Sequence, residues 1–227
     1  MRITFGLCFM DHIPDYDLPQ SSGTPSGHPL RAFFRAVTGR AFDRFQALHD
    51  PAVEDHISDG ILAEFVHVDR IHPIRDEDGQ AITELSELSQ RTHNMSPQCS
   101  GFERDLEVHQ HVGDYALYMA GIFPEHLERH ASHNPMPLLA CVGSSVFSMS
   151  EPVDFYIVEG RSAYSHVSKL YRALDETRSG VFHRLSNRFE DYLELMGLIR
   201  DFIRDQARWD EVDWDSFPCD EDGGIIT

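Results

Sequence analysis

Lysine, positive charge and long apolar runs are scarce in this sequence. The scarcity of positive charge argues against a nucleic-acid-binding protein, and the scarcity of apolar runs argues against a membrane-spanning one. Lys169 is the only lysine, and 38 Asp+Glu residues against 19 Lys+Arg residues give a formal net charge of −19. Because such a charge repels phosphate backbones, the composition argues against nucleic-acid binding. No apolar run approaches the roughly 18–20 residues that a membrane-spanning helix needs, so we expect no membrane insertion.

Cysteines and glycine-rich loops are equally sparse. The cysteines lie far apart with no C-x-x-C pair among them, and there are only four: Cys8, Cys99, Cys141 and Cys219. This spacing argues against a disulfide framework or a zinc knuckle and predicts reduced thiols in a cytoplasmic protein. Neither a P-loop nor a G-x-G-x-x-G segment occurs, so no nucleotide cofactor is expected.

The chain is long and apolar enough to form one domain with a hydrophobic core. Of its 227 residues, 41% are hydrophobic, which excludes a fully disordered protein. Residues 1–29 are rich in proline and glycine and predict a flexible N-terminal arm. Residues 208–227 carry seven carboxylates and predict an acidic, disordered tail. Residues 30–207, between these two segments, are predicted to form the folded domain.

Apolar residues recur at helical spacing through most of residues 30–207, which predicts an all-α, single-domain bundle of about seven helices. Asp50 before Pro51 predicts a helix start, and Gly160 would allow two helices to approach closely. Gly121 stands where a helix would end in a left-handed residue. The clearest periodic stripe predicts one helix packed against others: Phe182, Leu185, Phe189, Tyr192, Met196, Ile199 and Ile203.

The densest polar pattern lies on the helix predicted over residues 101–121. Four polar residues at spacings of four, four and three share roughly 80° of arc: Glu103, Glu107, His111 and Asp114. Such a stripe could bind a divalent metal ion or perform acid–base chemistry, or it could be the solvated face of an amphipathic helix. The catalytic candidates are Glu107, His111, Asp114 and Tyr118, with Tyr164 as a further hydrogen-bond donor.

Three histidines form a second candidate cluster on the next predicted helix, at spacings of four and three: His126, His130 and His133. Imidazoles four residues apart can bind zinc, but no glutamate follows the first histidine as in the H-E-x-x-H motif of metalloproteases. A histidine near the C-terminus of a helix also interacts favourably with the helix dipole without any metal. Both interpretations stay open.

Residues 131–151 contain several prolines, glycines and serines, which predict an irregular linker. Gly143-Ser144-Ser145 resembles the start of a nucleophile turn, but the G-x-S-x-G pattern fails at its last glycine. No nucleophilic serine is therefore expected in this segment.

Several segments resemble a bacterial family of all-helical proteins to which no activity is assigned. The resemblance spans roughly residues 50–205. It rests on the pattern H-x-G-D-x-x-L-Y-x-x-G-x-x-P-E at residues 111–125 and on G-x-x-x-Y at residues 160–164. It implies an all-helical fold and no particular reaction, and it makes Gly113-Asp114 and residues 121–125 the most distinctive part of the chain.

Two functions fit these observations. The first is a non-enzymatic interaction or scaffold protein, which binds a basic protein partner or associates with itself through residues 182–203. The aromatic residues of the acidic tail suit that hypothesis. The alternative is a metal- or carboxylate-dependent enzyme that uses the polar stripe of residues 101–121.

Overall fold

The computed structural model describes residues 28–74, 79–94, 101–133, 138–142, 145–149 and 151–205. In these residues the chain forms nine α-helices: α1 Pro29–Arg44, α2 Pro51–Asp55, α3 Val68–Ile71, α4 Leu85–Asn94, α5 Phe102–Ile122, α6 Pro124–His133, α7 Pro152–Tyr171, α8 Glu176–Asn187 and α9 Phe189–Arg204. A π-helical segment, His56–Leu62, continues α2, and a 3₁₀ turn covers Gln46–Leu48. Strands β1, Leu138–Val142, and β2, Ser145–Met149, pair antiparallel. Within this part of the chain, no helix combines the length and the apolar character needed to cross a membrane.

The two longest helices, α5 and α7, form the centre of the domain. Helix α5 packs against α7 and α9, while α7 also packs against α8 and β1. Helix α1 contacts both the π-helical segment and α9. The fold class predicted from the sequence, a single all-α domain, is confirmed. The helix count exceeds seven because the fold adds the one-turn helix α3 and divides the last predicted helix.

The predicted end segments fall almost entirely outside the described residues. Of the N-terminal arm, residues 1–29, the structure describes only His28, which caps α1, and Pro29, which begins it. The acidic tail, residues 208–227, is not among the described residues. The limits of the folded domain at residues 30 and 207 therefore stay a prediction.

The start of α2 is confirmed. Asp50 Oδ1 accepts the backbone N–H groups of Ala52 and Val53 at 3.1 and 3.2 Å. Pro51 occupies the first helical position, where no N–H is needed. The helix then widens at His56 into the π-helical segment. Such segments are rare and frequently lie at functional sites.

Two glycines allow helices to approach closely. A Cβ atom at Gly160 would lie 2.5 Å from the Phe189 ring and 2.9 Å from the Cβ of Ala116, so the predicted close approach is confirmed. The prediction that Gly121 ends a helix is wrong, because α5 continues to Ile122. Gly121 is buried against Met196 of α9, so tight packing rather than a left-handed backbone explains this glycine.

The single helix predicted over residues 182–203 is two helices. They meet at Arg188, which leaves the helical region at φ −121° and ψ 35°. Its guanidinium donates to the carbonyl of Ala47 at 2.8 Å and to the carboxylate of Asp191 at 2.7 Å, which holds this turn. Six of the seven stripe residues are buried in the chain's own core. They are therefore not available for self-association.

The prediction of an irregular linker over residues 131–151 is wrong for the two strands. Residues 138–142 pair antiparallel with residues 145–149, from Leu138 opposite Met149 to Val142 opposite Ser145. Two apolar runs separated by a Gly-Ser pair are typical of a β-hairpin, and this signal outweighs the flanking prolines. Ser145 is a strand residue, while Gly143 and Ser144 lie outside the described residues.

Candidate functional site

The structure divides the predicted polar stripe of α5 into an exposed half and a buried half. Glu103 and Glu107 are exposed, whereas His111 is partly buried and Asp114 is only 5% exposed. The physical reason is the rise of the helix. At 1.5 Å per residue, Glu103 and Asp114 are about 16 Å apart along the axis although they share a face. One metal ion cannot contact all four side chains.

Asp114 is the centre of a buried hydrogen-bond network. His56 Nε2 and the Tyr164 hydroxyl each lie 2.8 Å from Asp114 Oδ1. One carboxylate therefore joins the π-helical segment, α5 and α7. A buried carboxylate is costly unless it is paired, and these two donors supply the pairing. The sequence pointed to Tyr164 as a donor but not to His56, which stands 58 residues before Asp114.

Gly113 makes room for the Tyr164 ring beside this network. A Cβ atom at Gly113 would lie 2.5 Å from Cε1 of Tyr164. Burial, together with the negative charge of Asp114, raises the pKa of Tyr164, so its hydroxyl keeps its proton and donates it in the hydrogen bond. The distinctive Gly113-Asp114 pair thus has a structural reason: the glycine admits the ring and the aspartate binds its hydroxyl.

His111 lies next to the network in a mainly aromatic environment. Its ring contacts those of Phe65 and Tyr115, with centroids 5.8 and 6.0 Å apart. Burial lowers the pKa of His111 to about 4, although the Asp114 carboxylate partly opposes this effect. His111 is therefore uncharged at neutral pH.

We expect acid to destabilise the fold through His111. In the unfolded chain a histidine titrates near pH 6.5, whereas the pKa in the folded protein is about 4. Between these values the unfolded state binds more protons. The stabilisation is therefore complete above about pH 6.5 and is lost as the pH falls toward 4. Urea unfolding at pH 7 and near pH 4, in EDTA, should show a loss of about 2–4 kcal/mol from this residue.

A His111→Phe variant separates this effect from general acid destabilisation. Phenylalanine keeps an aromatic ring against Phe65 and Tyr115 but cannot take up a proton, so most of the extra pH dependence should disappear. The exposed His126→Gln variant should keep it. His72, whose pKa is also lowered by burial, adds an effect of the same sign in all three proteins. A His111→Phe protein with the wild-type pH dependence would contradict the prediction.

A second polar cluster lies nearer the N-terminal end of α5. Asp105 and His109 are one turn apart on α5, and His166 reaches them from α7. Asp105 Oδ1 is 3.0 Å from His109 Nδ1, and Asp105 Oδ2 is 3.1 Å from His166 Nε2. One potential ligand atom from each residue lies within 4.8 Å of the others. The His166 side chain is 44% exposed, so the cluster is open to solvent on one side.

Two imidazoles and one carboxylate are a recurrent donor set for divalent transition metals. Catalytic zinc sites use three protein ligands and leave a further position to water or substrate, and non-haem iron sites often use two histidines and one carboxylate. His109 Nδ1 also lies 2.8 Å from the main-chain carbonyl oxygen of Asp105. Because a carbonyl only accepts, Nδ1 carries the proton and Nε2 the lone pair, which is the common arrangement in metal-ligating histidines.

Sequence spacing relates only two of the three residues of this cluster. Asp105 and His109 stand four residues apart on a predicted helix, a spacing that places both on one face. Their partner His166 follows 61 residues after Asp105. Only the packing of α5 against α7 brings it close.

The remaining predicted candidates have no described contact with either cluster. Tyr118 packs against the rings of Phe65 and Phe123, and burial raises its pKa. His126 is exposed on α6, and the side chains of His130 and His133 are outside the described part of the structure.

Comparison with protein families, with curated proteins and with solved structures yields no match for this chain. The resemblance to a bacterial all-helical family therefore stays a prediction. The segment that carries it, residues 111–125, runs through the buried half of α5 into α6.

Proposed function

We propose that this chain is a divalent-metal-binding protein whose ion is held by Asp105, His109 and His166, and that it belongs to the metal-dependent enzymes. The observation that carries the proposal is the convergence of two imidazoles and one carboxylate from two packed helices. Three protein ligands leave coordination positions for water or a substrate. A bound ion would act there as a Lewis acid.

The surroundings of the three residues support a bound cation. Asp105 Oδ2 lies 3.1 Å from His166 Nε2, and the N–H at Nδ1 of His109 donates to Asp105, which leaves Nε2 of His109 as its metal-binding atom. The net charge of −19 favours cations over anions near the surface. Zinc, cobalt and ferrous iron are the ions whose ligand preferences match this donor set.

We expect the tag-free protein to bind one equivalent of zinc in isothermal titration calorimetry. Asp105→Ala and His166→Ala should each weaken binding by at least about tenfold, because losing a ligand from a three-ligand site removes a major share of its affinity. Glu107→Gln is the matched control: Glu107 lies on the same helix, is exposed and belonged to the predicted stripe. It should bind zinc like the wild type.

Two results would contradict this function. One is the absence of zinc binding at neutral pH in protein whose helical circular dichroism is intact. The other is binding that persists unchanged in both Asp105→Ala and His166→Ala. In that case other histidines hold the ion.

As a second candidate function, we infer a non-enzymatic interaction protein that binds a basic protein partner. Its support is the acidic charge, together with the exposed aromatic ring of Phe123, which packs on Tyr118 with centroids 5.5 Å apart. Val66 is 40% exposed as well. Saturable binding of a basic bait protein that Phe123→Ser abolishes, in protein that binds no zinc, favours this candidate over the metal-dependent one.

A further inference from the structure

The imidazole of His56 is held in one orientation by its neighbours. Its Nε2 lies 2.8 Å from Asp114 Oδ1, and its ring packs edge-on against Phe182 with centroids 5.1 Å apart. The side chain is nevertheless 13% exposed, so it has contact with solvent. A fixed ring with solvent access is what acid–base chemistry requires of a histidine.

The hydrogen bond to Asp114 also determines which nitrogen carries the proton. A carboxylate only accepts, so Nε2–H of His56 donates to Asp114 and Nδ1 carries the lone pair. Asp114 is itself held by the Tyr164 hydroxyl at 2.8 Å. Enzymes that activate a nucleophile or a general base use this arrangement: the base is oriented by a carboxylate, and a further group holds the carboxylate in place.

A side chain at position 60 would crowd Nδ1 of His56, and Gly60 carries none. A Cβ atom at this position would lie 3.1 Å from His56 Nδ1, and its three nearest atoms would all belong to the His56 ring. A glycine inside a helix lowers stability by about 1 kcal/mol relative to alanine. The chain therefore keeps a destabilising glycine at a position where a side chain would crowd the proton-accepting nitrogen of His56.

We propose that His56 is a catalytic general base that activates water against small acyl esters, with Asp114 and Tyr164 as positioning residues. The lone pair of Nδ1 takes a proton from water while the water oxygen bonds to the carbonyl carbon of the ester. The bond to the leaving alkoxide or phenoxide breaks with its electron pair. The proton on Nδ1 then passes to the leaving group or to solvent. Water and the ester are the only reactants, so this activity is independent of the proposed metal site.

The test is hydrolysis of p-nitrophenyl acetate by the full chain in EDTA, with the buffer rate subtracted. General-base catalysis by a positioned histidine contributes about 10²–10⁴-fold, so we expect kcat/KM to fall at least about tenfold in His56→Gln and in Gly60→Ala. His183→Gln, an exposed histidine on α8, should keep the wild-type rate.

Gly60→Ala separates a chemical role from a structural one. It retains His56 and Asp114, and the gain in helix propensity offsets part of the contact between the new methyl group and the imidazole, so its free energy of unfolding should stay within about 1 kcal/mol of the wild type while ester hydrolysis falls. If Gly60→Ala hydrolyses the ester as fast as the wild type, the proposal is overturned, whatever happens in His56→Gln. If His56→Gln does not fold, the result for Gly60→Ala decides alone.

Discussion

Replacing Asp114 by alanine is expected to lower the free energy of unfolding by about 3–5 kcal/mol. The change leaves His56 Nε2 and the Tyr164 hydroxyl without their common acceptor. Tyr164 is fully buried, so water cannot replace the lost carboxylate at its hydroxyl. Each orphaned buried donor costs about 1–3 kcal/mol, and the smaller side chain leaves a gap between α5 and α7. Urea unfolding at pH 7, followed by circular dichroism, measures the loss.

Asp201→Ala is the matched control for this change. Asp201 is exposed on α9 and, within the described part of the chain, its side chain pairs with the neighbouring Arg200 at 3.2 Å, so its loss should cost less than about 1 kcal/mol. Asp114→Asn keeps the volume and one carbonyl acceptor and should fall between the two. Equal losses in Asp114→Ala and Asp201→Ala would show that the network contributes little to stability.

Gly113→Ala is expected to destabilise the protein by about 2–3 kcal/mol, although alanine is the better helix former. The added methyl group would lie 2.5 Å from the Tyr164 ring. That ring cannot move aside easily, because it is fully buried and its hydroxyl is bound to Asp114. The clash therefore outweighs the gain in helix propensity of about 1 kcal/mol.

Gly197→Ala makes the same chemical change without the clash. Gly197 lies on α9, and a Cβ atom there would meet nothing within 4 Å. It should therefore raise stability by up to about 1 kcal/mol, opposite in sign to Gly113→Ala. Thermal unfolding of the two variants side by side measures both. A stabilised Gly113→Ala protein would mean that the contact between α5 and α7 is looser than the structure indicates.

Local features of this fold could be read from the sequence. The Asp50 cap depends on residues within one turn of one another, and Gly160 could be identified as a small residue within an apolar helical stripe. The β-hairpin was missed, because the flanking prolines and serines were given more weight than two apolar runs separated by a Gly-Ser pair. The break at Arg188 could not be read from the sequence, since the carbonyl of Ala47 that helps to hold it comes from a distant part of the chain.

The candidate sites were only partly predictable, because each joins residues that are far apart in sequence. Asp114 was a candidate, but His56 meets it only through the packing of the π-helical segment on α5. His166 likewise reaches Asp105 only because α7 packs along α5. The predicted stripe of four residues failed as a single site for a simpler reason. Helical periodicity gives the face that residues share, whereas the rise of the helix determines whether they can touch one ligand.

The proposed metal site is tested most directly by an anomalous difference map from crystals of the zinc-soaked protein, measured on both sides of the zinc absorption edge. We expect one strong peak between Asp105, His109 and His166, within about 2.0–2.2 Å of one atom of each residue. A map with no peak there, or with its strongest peak at other residues, would contradict it.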